Sequence, residues 1–519
     1  MSELNKNYTV FHLHDDTSNC NGFADSCSKF NEYIKLAKSQ GMKAIAFSNH
    51  GGIYDWIKKK QECDKVGLKY IHGVELYLCN KLTDDDRGGH IGLYAKNWEG
   101  VKELNKLVSI SGIKGSKEDK SDRHMYYNPR ISLEELMGTS DNIIFTSACL
   151  ASPLNKWDTP ERKEEFQTLV KWMVKNKHRC FFEIQYHNCE EQIFLNKKLY
   201  AYSKKTGIPL IAGTDTHSSN DYKAECRKIL QIYKDSYYGQ EDEFDLTWKT
   251  YDELVNVFKE QNALPEDVIL EAIENTNVLA DMIEEFTLDK AFKYPTLYGD
   301  DVREQWSKLI YTCFEEKRKN NQLKLPSKIK KQCQEYFSQH AQIPTDESER
   351  KIYDNYQSDY EWAKNTTDNE MIRLYKEKIS EEFKVMCKLG MESFMMFMSE
   401  LITWANNNTI PCGTGRGSVC GSMIAFITNI TDVDPLVWNT VFSRFCNEDR
   451  ISLGDIDVDF AGEDREKVYQ YIIKRFTPEK TAYIAAFTTL KDRGCIDALA
   501  GGLGYEDLDK VMEIKNKFD

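Results

Sequence analysis

The sequence predicts a multidomain α/β protein, and three observations support this fold class. The chain has 519 residues, more than a single hydrophobic core normally accommodates. Residues 1 to about 240 alternate short apolar segments with amphipathic ones, and polar side chains follow the apolar segments, as in an α/β barrel. Further along, a glycine-rich loop precedes acidic residues that alternate with apolar ones, which is typical of a second α/β site.

The N-terminal region is predicted to contain a series of strands. They cover residues 8–14, 45–48, 71–78, 91–95, 143–150, 181–187 and 209–217. His12 and His14 are two residues apart on the first segment, so their side chains point to the same side. A lone histidine is usually structural, but here His, Asp, Glu and Cys recur near successive strand ends. Because a βα barrel builds its site from several strand ends, this pattern predicts a metal site.

The middle of the chain is predicted to be mainly helical. Residues Leu264–Glu284 have helical spacing after a proline start, and Tyr353–Met398 is a long amphipathic run. The methionines of that run are expected in the core. A polar insert around residues 318–350 is predicted to be a flexible or DNA-contacting loop. The basic stretch Lys317–Lys331 fits a nucleic-acid backbone contact or a solvated loop equally well.

The glycine-rich loop lies at Gly413–Ser418 with the sequence GTGRGS. Glycines let a backbone approach a ligand closely, and Arg416 adds a fixed positive charge. An apolar run begins after Ser418, and a helix N-terminus there would bind phosphate. The loop lacks the ending of a Walker A motif and the spacing of a dinucleotide fingerprint, so it is weak evidence by itself.

Asp455, Asp457 and Asp459 alternate with Ile456 and Val458. On a strand the three carboxylates share one face, and clustered carboxylates attract a cation such as Mg²⁺. A solvated acidic strand is equally plausible for this stretch alone. Combined with the loop about forty residues earlier, it predicts a two-metal nucleotidyl-transfer site.

Composition excludes several classes of protein. No run of 18 apolar residues and no cleavable signal are visible, so we expect a soluble protein that contacts no membrane. Fifteen cysteines without a CxxC pair indicate reduced thiols and a cytoplasmic location. The net charge of −14 does not itself favour DNA binding, although an average conceals local patches.

Four ordered motifs of the C-terminal region resemble the palm of family C replicative DNA polymerases, the bacterial DNA polymerase III alpha subunits. The family's GxGRGS, ITDxDPL, FxRFxNxxR and PDxDxDF appear at Gly413–Ser418, Ile430–Leu436, Phe442–Arg450 and Gly454–Phe460. Glycine replaces the usual proline at Gly454. The segment Phe487–Ile496 is similar to a further family motif.

The N-terminal region resembles the PHP domain with which these subunits begin. The resemblance implies metal ligands at His12, His14, Asn21, His50, Glu75, His90, Cys149, Asp215 and His217. Zn²⁺ or Mn²⁺ suits this donor set, and the resemblance implies a 3′-5′ proofreading exonuclease. Asn21 and Asn49 stand where the family has aspartate, which weakens one metal position. Glu183 and His187 are expected to support the ligands from outside.

The resemblance also implies a domain plan: a PHP domain (a distorted βα barrel) over residues 1–240, a helical thumb region over 241–385 and a partial nucleotidyltransferase-like α/β palm over 386–519. Asp457 and Asp459 would hold Mg²⁺ as catalytic ligands, with Asp455 and Lys491 in support. The residues expected to bind nucleotide or phosphate are Gly415, Arg416, Gly417, Ser418 and Arg444.

The family's third catalytic acid and its fingers lie beyond the palm motifs present here. The chain is therefore expected to be the N-terminal part of a DNA-directed DNA polymerase that binds primer-template DNA and dNTPs. It would need a second chain, or its own missing half, for synthesis. Binding to a sliding clamp would occur only through the missing part. The expected location is the cytoplasm of a bacterial or virus-infected bacterial cell.

Two alternatives remain open. The chain could be a free-standing PHP phosphoesterase or nuclease with a degenerate palm, although a degenerate palm would not be expected to keep Asp457, Asp459 and the glycine loop. It could also be a polymerase part with a purely structural PHP domain, which Asn21 and Asn49 favour.

Overall fold

The computed structural model describes residues 7–22, 24–115, 120–236, 243–289, 293–447, 454–484, 486–505 and 507–518. The side chain of Asn21 lies outside this description. The chain folds into two compact units. The first comprises Met1–Leu288 with Ala486–Asp519, and the second comprises Asp289–Ala485. The three-domain boundaries given above remain a proposal.

A mixed sheet forms the centre of the first unit. Its strands are β1 (Ala44–Phe47), β2 (Lys69–Cys79), β3 (Gly89–Ala95), β4 (Met125–Tyr126), β5 (Asn128–Ser132), β6 (Ile143–Thr146), β7 (Cys180–Ile184) and β8 (Leu210–Ala212). Their order is β4-β5-β2-β3-β6-β7-β8, with β1 beside β2. Strand β3 runs antiparallel to β2 and β6. Strands β1 and β5 are parallel to β2, β7 is parallel to β6, and β8 is parallel to β7. This curled sheet is the distorted barrel that the sequence predicts.

Amphipathic helices cover the sheet. They are α1 (Phe30–Ser39), α2 (Trp56–Val66), α3 (Trp98–Ser111), α4 (Leu133–Met137), α5 (Pro153–Lys156), α6 (Lys163–Lys175), α7 (Glu190–Thr206), α8 (Asp221–Tyr233), α9 (Tyr251–Gln261) and α10 (Glu266–Asp281). The core between helices and sheet includes Leu76, Ile91, Phe145 and Phe182, all fully buried. Helix α10 confirms the helix predicted from Leu264, and Pro265 precedes its first turn.

The strand predictions are confirmed at six of the seven segments. The exception is the first segment of the chain, residues 8–14, which forms two single parallel bridges, Val10 to Ile45 and Leu13 to Thr216, in place of a strand. It is held between β1 and the segment that follows β8 by backbone hydrogen bonds, such as those from Ala46 to Val10 (3.0 Å) and from His14 to Thr216 (2.8 Å). Strands β4 and β5 were not predicted, since their short polar sequence gives no period-two signal.

The second unit is mainly helical. Its helices are α11 (Val302–Lys319), α12 (Pro326–Gln339), α13 (Glu347–Asn365), α14 (Asp368–Lys388), α15 (Glu392–Asn407), α16 (Met423–Ile427), α17 (Pro435–Trp438) and α18 (Arg465–Phe476). Its core is rich in methionine, as expected: Met386, Met391 and Met395 are fully buried. After the second unit, α19 (Asp492–Gly502) and α20 (Leu508–Lys515) belong to the first.

The predicted loop around residues 318–350 is wrong over much of its length, because α12 occupies residues 326–339. Pro326 lies at the first helical position, where its missing N–H costs nothing. Helix α12 packs on α13 through aromatic rings, and Tyr336 stacks on Tyr356 with centroids 3.9 Å apart. Lys317 is buried beside the ring of Phe426, so the basic stretch is not one continuous surface patch.

Among the described residues, no helix combines the length and the apolar character needed to cross a bilayer.

Candidate functional site

His12 and His14 project from the first chain segment into the end of the sheet. The backbone N–H of His14 donates to the carbonyl of Thr216 (2.8 Å), and that of Ser48 donates to the carbonyl of Leu13 (2.9 Å). Leu13 between them is fully buried in the core. Because neighbouring side chains on extended backbone point to opposite sides, anchoring Leu13 turns both histidines toward the same space.

Glu75 lies at the centre of this space. Its Oε1 is 3.0 Å from Nδ1 of His90, and its Oε2 is 2.9 Å from Nδ1 of His50. His90 is near the start of β3, but β3 is antiparallel to β2, so its start lies level with Tyr77 on β2. Because β3 runs in the opposite direction, His90 at its start lies at the same edge of the sheet as the C-terminal ends of the parallel strands.

Asp215 and His217 follow β8 and complete the cluster. Oδ1 of Asp215 is 3.1 Å from Nε2 of His12 and 3.4 Å from Nε2 of His14. The ring of His217 stacks on that of His14 with centroids 4.3 Å apart. Cys149 follows β6, and its Sγ is 3.4 Å from Nδ1 of His90. The structure therefore brings together every predicted metal ligand except Asn21, whose side chain is outside the described residues.

The donor set fits metal ions. Three overlapping groups have ligand atoms within 4.8 Å of one another: His14, His50 and His217; His12, His14 and Asp215; and His50, Glu75 and His90. Nε2 of His12, Nε2 of His14 and Oε2 of Glu75 are buried and form no well-directed hydrogen bond among the described residues, although other atoms of the cluster lie 2.9 to 3.6 Å from them. Buried polar atoms without partners are costly, and cations at these points would satisfy them.

The electrostatics of the cluster are strongly coupled. Burial would lower the pKa of His12, but Asp215, Glu183 and Glu75 outweigh it and hold that pKa well above its usual value. Burial and the neighbouring His217 and His50 lower the pKa of His14 to about 4. The pKa of Glu75 lies well below its usual range: burial opposes this, but His90, His50 and His12 prevail. The carboxylates are thus held ionised, as metal ligands must be.

Glu183 supports the cluster from outside, as predicted for this position. It is fully buried; its Oε1 is 2.6 Å from Nδ1 of His12, and its Oε2 accepts from Thr146 (3.0 Å). A carboxylate on one ring nitrogen fixes the tautomer and orientation of a metal-binding histidine. His187 behaves differently. Its ring stacks on Phe244 (4.3 Å), and neither nitrogen has a hydrogen-bond partner among the described residues.

Asn49 is not directed at the cluster. Its side-chain amide donates to Asp15 (3.0 Å) and Thr17 (2.8 Å), and its carbonyl oxygen accepts from the backbone of Asp15 (2.9 Å). Asp15 in turn pairs with the buried Lys59 at 2.7 Å. The amide at position 49 therefore stabilises a neighbouring polar network, and its lack of charge says little about metal affinity.

Sequence reasoning missed Asp25. This carboxylate is 2% exposed and lies 3.0 Å from Nδ1 of His217, 3.4 Å from Nδ1 of His14 and 3.6 Å from Nε2 of His50. The one signal in the sequence was that Asp25 lies four residues after Asn21, the predicted ligand, and the polar stretch between them has no periodic pattern.

In the second unit, the glycine loop lies against the aspartate segment. The backbone N–H of Gly413 donates to the carbonyl of Asp459 (2.9 Å), and Arg416 forms a single antiparallel bridge with Asp457. Nη1 of Arg416 is 3.2 Å from Oδ1 of Asp459. The three aspartates are exposed, and Ile456, Val458 and Phe460 pack against the core. The predicted alternation is confirmed, although single bridges replace a continuous strand.

Two glycines of the loop are required by this fit. Gly415 has φ of 131°, and a Cβ there would collide with the hydroxyl of Thr431. Gly417 has φ of 70°, in the left-handed region that favours glycine, and a Cβ there would lie 3.4 Å from Oδ2 of Asp457.

The helix predicted to begin at Ser418 begins later in the chain, so a phosphate site at its N-terminus stays a prediction. Residues 417–421 form a 3₁₀ turn, and the helix that follows, α16, begins only at Met423. Its first N–H groups are already occupied, since Glu382 accepts from the backbones of Met423 (2.8 Å) and Ile424 (3.0 Å). An internal carboxylate thus caps this helix.

A cavity of about 750 Å³ adjoins the end of the glycine loop. The predicted phosphate-binding residues Gly417, Ser418 and Arg444 line it, together with Asn439 and Thr440. Residues 448–450, the end of the third palm motif, lie outside the described residues. Lys491 belongs to the first unit, and its supporting role stays a prediction.

Comparisons with known families define the class of protein. Residues 11–187 match the PHP domain, and residues 346–518 match the bacterial DNA polymerase III alpha NTPase domain. The chain is a multidomain α/β protein whose first part is similar to PHP domains and whose later part is similar to the polymerase III alpha NTPase domain.

The relatives are DNA polymerase III alpha subunits. The chain is 29% identical to that of Borreliella burgdorferi over 94% of this chain and 38% of the relative. It is 28% identical to that of Campylobacter jejuni (98% and 40%) and 26% identical to that of Aquifex aeolicus (98% and 41%). The resemblance inferred from the motifs is confirmed: the chain is similar to these subunits over 94% to 98% of its own length and spans about 40% of theirs.

Proposed function

We propose that this chain is the N-terminal part of a replicative DNA-directed DNA polymerase with two separate sites. The first is the group of candidate metal ligands around Glu75 in the first unit, here called the PHP cluster. The second is the palm motif, formed by Gly413–Ser418 and Asp457–Asp459. The palm would add dNTPs to a primer 3′ end. The primer 3′ oxygen attacks the α-phosphorus, the bond to the bridging oxygen breaks, pyrophosphate leaves, and the hydroxyl proton passes to solvent.

The contact between Gly413–Ser418 and Asp457–Asp459 supports this proposal most directly. The loop brings Arg416 and flexible backbone beside two exposed carboxylates and a cavity large enough for a nucleotide. Mg²⁺ held by Asp457 and Asp459 would supply the charge stabilisation that phosphoryl transfer requires. Arg444 and Ser418 line the cavity and are suited to bind the phosphates. In the absence of metal ions, Arg416 pairs with Asp459 and fixes the position of the aspartate segment.

The palm motif supplies two of the three carboxylates that the family resemblance assigns to the reaction. We therefore propose that synthesis depends on a further acid, from the remainder of the polymerase or from a partner chain. Primer extension measured with this chain alone and after addition of the polymerase remainder tests this dependence. Extension only in the mixture is expected, and efficient extension by this chain alone would contradict it.

The cluster of the first unit favours a second activity, hydrolysis of a phosphodiester at a primer 3′ end. Zn²⁺ or Mn²⁺ bound there would activate water and polarise the phosphate. The chain's own contribution is to hold the carboxylate donors ionised and the imidazoles fixed: Glu75 bridges several imidazoles, and Glu183 orients His12. In the reaction a water oxygen bonds to phosphorus, the bond to the 3′ oxygen breaks, and that oxygen takes a proton.

Cleavage of a mismatched primer by the parent and by His12→Ala tests this activity. The variant is expected to lose cleavage while still folding, and a His178→Ala control, at an exposed histidine outside the cluster, should keep it. Equal cleavage by parent and His12→Ala, or none by either, would favour a purely structural PHP domain.

A further inference from the structure

The loop after His14 carries a carboxylate that no sequence pattern assigned. Asp25 lies four residues beyond Asn21, the position at which the family resemblance expects an acidic ligand. Its two oxygens face three imidazoles of the cluster at 3.0 to 3.6 Å, and its Oδ2 has no hydrogen-bond partner among the described residues.

We propose that Asp25 supplies the carboxylate ligand of one metal position, together with His50 and His217, in the role that the resemblance gives to Asn21. This inference rests on the proposed metal-dependent function of the cluster. It extends that function by restoring a charged ligand to the position that Asn21 alone would weaken.

The separations are those of ligands around one ion. Two ligand atoms at about 2.1 Å from a tetrahedral ion lie about 3.4 Å apart. Oδ1 of Asp25 is 3.0 Å from Nδ1 of His217 and 3.6 Å from Nε2 of His50, on either side of this value.

The chain holds Asp25 in place through its neighbours. Asn19 accepts from the backbone N–H of Asp25 (2.6 Å) and Ser26 (3.1 Å), and it donates to the carbonyl of Ser26 (2.7 Å). The hydroxyl of Ser26 donates to the carbonyl of His217 (2.6 Å). One asparagine therefore closes the loop, and one serine ties it to the segment that carries Asp215 and His217.

Arg227 adds a further tie from α8. Its Nε donates to the backbone carbonyl of Asp25 at 2.7 Å, and its guanidinium stays 4.0 Å from Oδ1. The carboxylate is therefore fixed through its backbone, which leaves its oxygens directed at the histidines. An asparagine, a serine and an arginine holding one acidic residue at this point are consistent with a built ligand position.

The same distances would also suit a carboxylate that only orients His217, and metal stoichiometry separates the two roles. Parent, Asp25→Asn, Asp25→Ala and Asn21→Ala would be loaded with Zn²⁺ or Mn²⁺, freed of loose ions and measured by elemental mass spectrometry. Both Asp25 variants are expected to hold one ion fewer per chain than the parent, and Asn21→Ala the parental number.

Asp15→Asn is the matched control, because it removes another buried carboxylate of the same loop that pairs with Lys59 outside the cluster. It should keep the parental number of ions even if its melting temperature falls. Asp25→His, which keeps a metal-binding side chain, should restore the missing ion and guards against a variant that merely misfolds.

A parental ion count in Asp25→Asn, or loss of an ion in Asn21→Ala, would overturn the proposal. A parent that binds the full set of ions but cleaves no primer would contradict the hydrolytic function and leave the assignment of Asp25 standing. A parent that binds no metal would contradict both.

Discussion

The two candidate sites differ most in their exposure to water. In the first unit, His12, His14, Glu75 and Asp25 are at most 2% exposed and lie within a few ångströms of one another. In the second, the side chains of Asp459 and Arg416 are 61% and 66% exposed. A buried charge needs neighbouring groups of opposite charge or hydrogen-bond partners in the folded protein. An exposed charge is stabilised by water and needs no such partner before a ligand binds.

This difference indicates what each region can do without help. The described candidate ligands of the PHP cluster and the groups that orient them are buried within one unit, so we expect metal binding there without a residue from elsewhere. The palm motif has a loop that contacts an aligned pair of acids, and Arg416 pairs with one of them, Asp459. Its ions would be held jointly by substrate phosphates and by an acid from elsewhere, as is usual for Mg²⁺.

The largest effect is expected from Glu75→Gln. This change removes the charge shared by His50 and His90, and even changes outside the ligand shell cost 10- to 100-fold in metal affinity, so primer cleavage should fall by more than about 100-fold. Metal content and cleavage rate check this. Glu135→Gln is the control, because Glu135 also pairs with a histidine, His124 at 2.7 Å, outside the cluster. Similar losses in both variants would contradict a specific role for Glu75.

A comparable loss is expected in the other site from Asp457→Asn or Asp459→Asn. Removing a metal ligand costs several kcal/mol of transition-state stabilisation, or about 100-fold or more in extension rate. Asp455→Asn should cost much less. Extension would be measured with the polymerase remainder present. Both catalytic variants should keep the parental PHP metal content; a loss of those ions would show that the two regions are not independent.

A smaller effect is expected from Glu183→Gln. The amide can still bond to His12 but no longer balances its charge, so metal affinity should fall by about 10- to 100-fold without loss of a bound ion at saturation. Metal titration of the purified chain measures this. An unchanged affinity would mean that Glu183 is only a core residue.

The smallest effect concerns pH and Glu382. Burial, opposed by bonds from Ile424 and Met423, raises the pKa of this carboxyl to about 7. An acid whose pKa is higher in the folded than in the unfolded state binds more protons when folded, so stability falls as pH rises from about 4.5 to 7. The cost is on the order of 3 kcal/mol at most. Denaturant unfolding of Glu382→Gln should have a flatter pH profile over this window, and an unchanged slope would contradict the prediction.

Much of both sites could be predicted from local sequence. His12 and His14, and the alternation of Asp457 and Asp459, follow from the two-residue period of extended backbone. Asp25 could not be predicted, because a turn closed by Asn19 brings it to the cluster and turns of this kind leave no periodic signal. Glu382 was missed for a similar reason: it lies about forty residues before the helix that it caps. Helix α12 was missed because its polar composition and flanking prolines are typical of loops.

One measurement tests the central claim, that the chain holds one self-sufficient site and one dependent site. Labelled primer-template with a 3′ mismatch would be incubated with this chain, Mg²⁺, Mn²⁺ and dNTPs, and the primer length followed over time. We expect the primer to shorten without being extended, and the shortening to disappear in Glu75→Gln. Extension of the primer by this chain alone, with no shortening, would contradict the account.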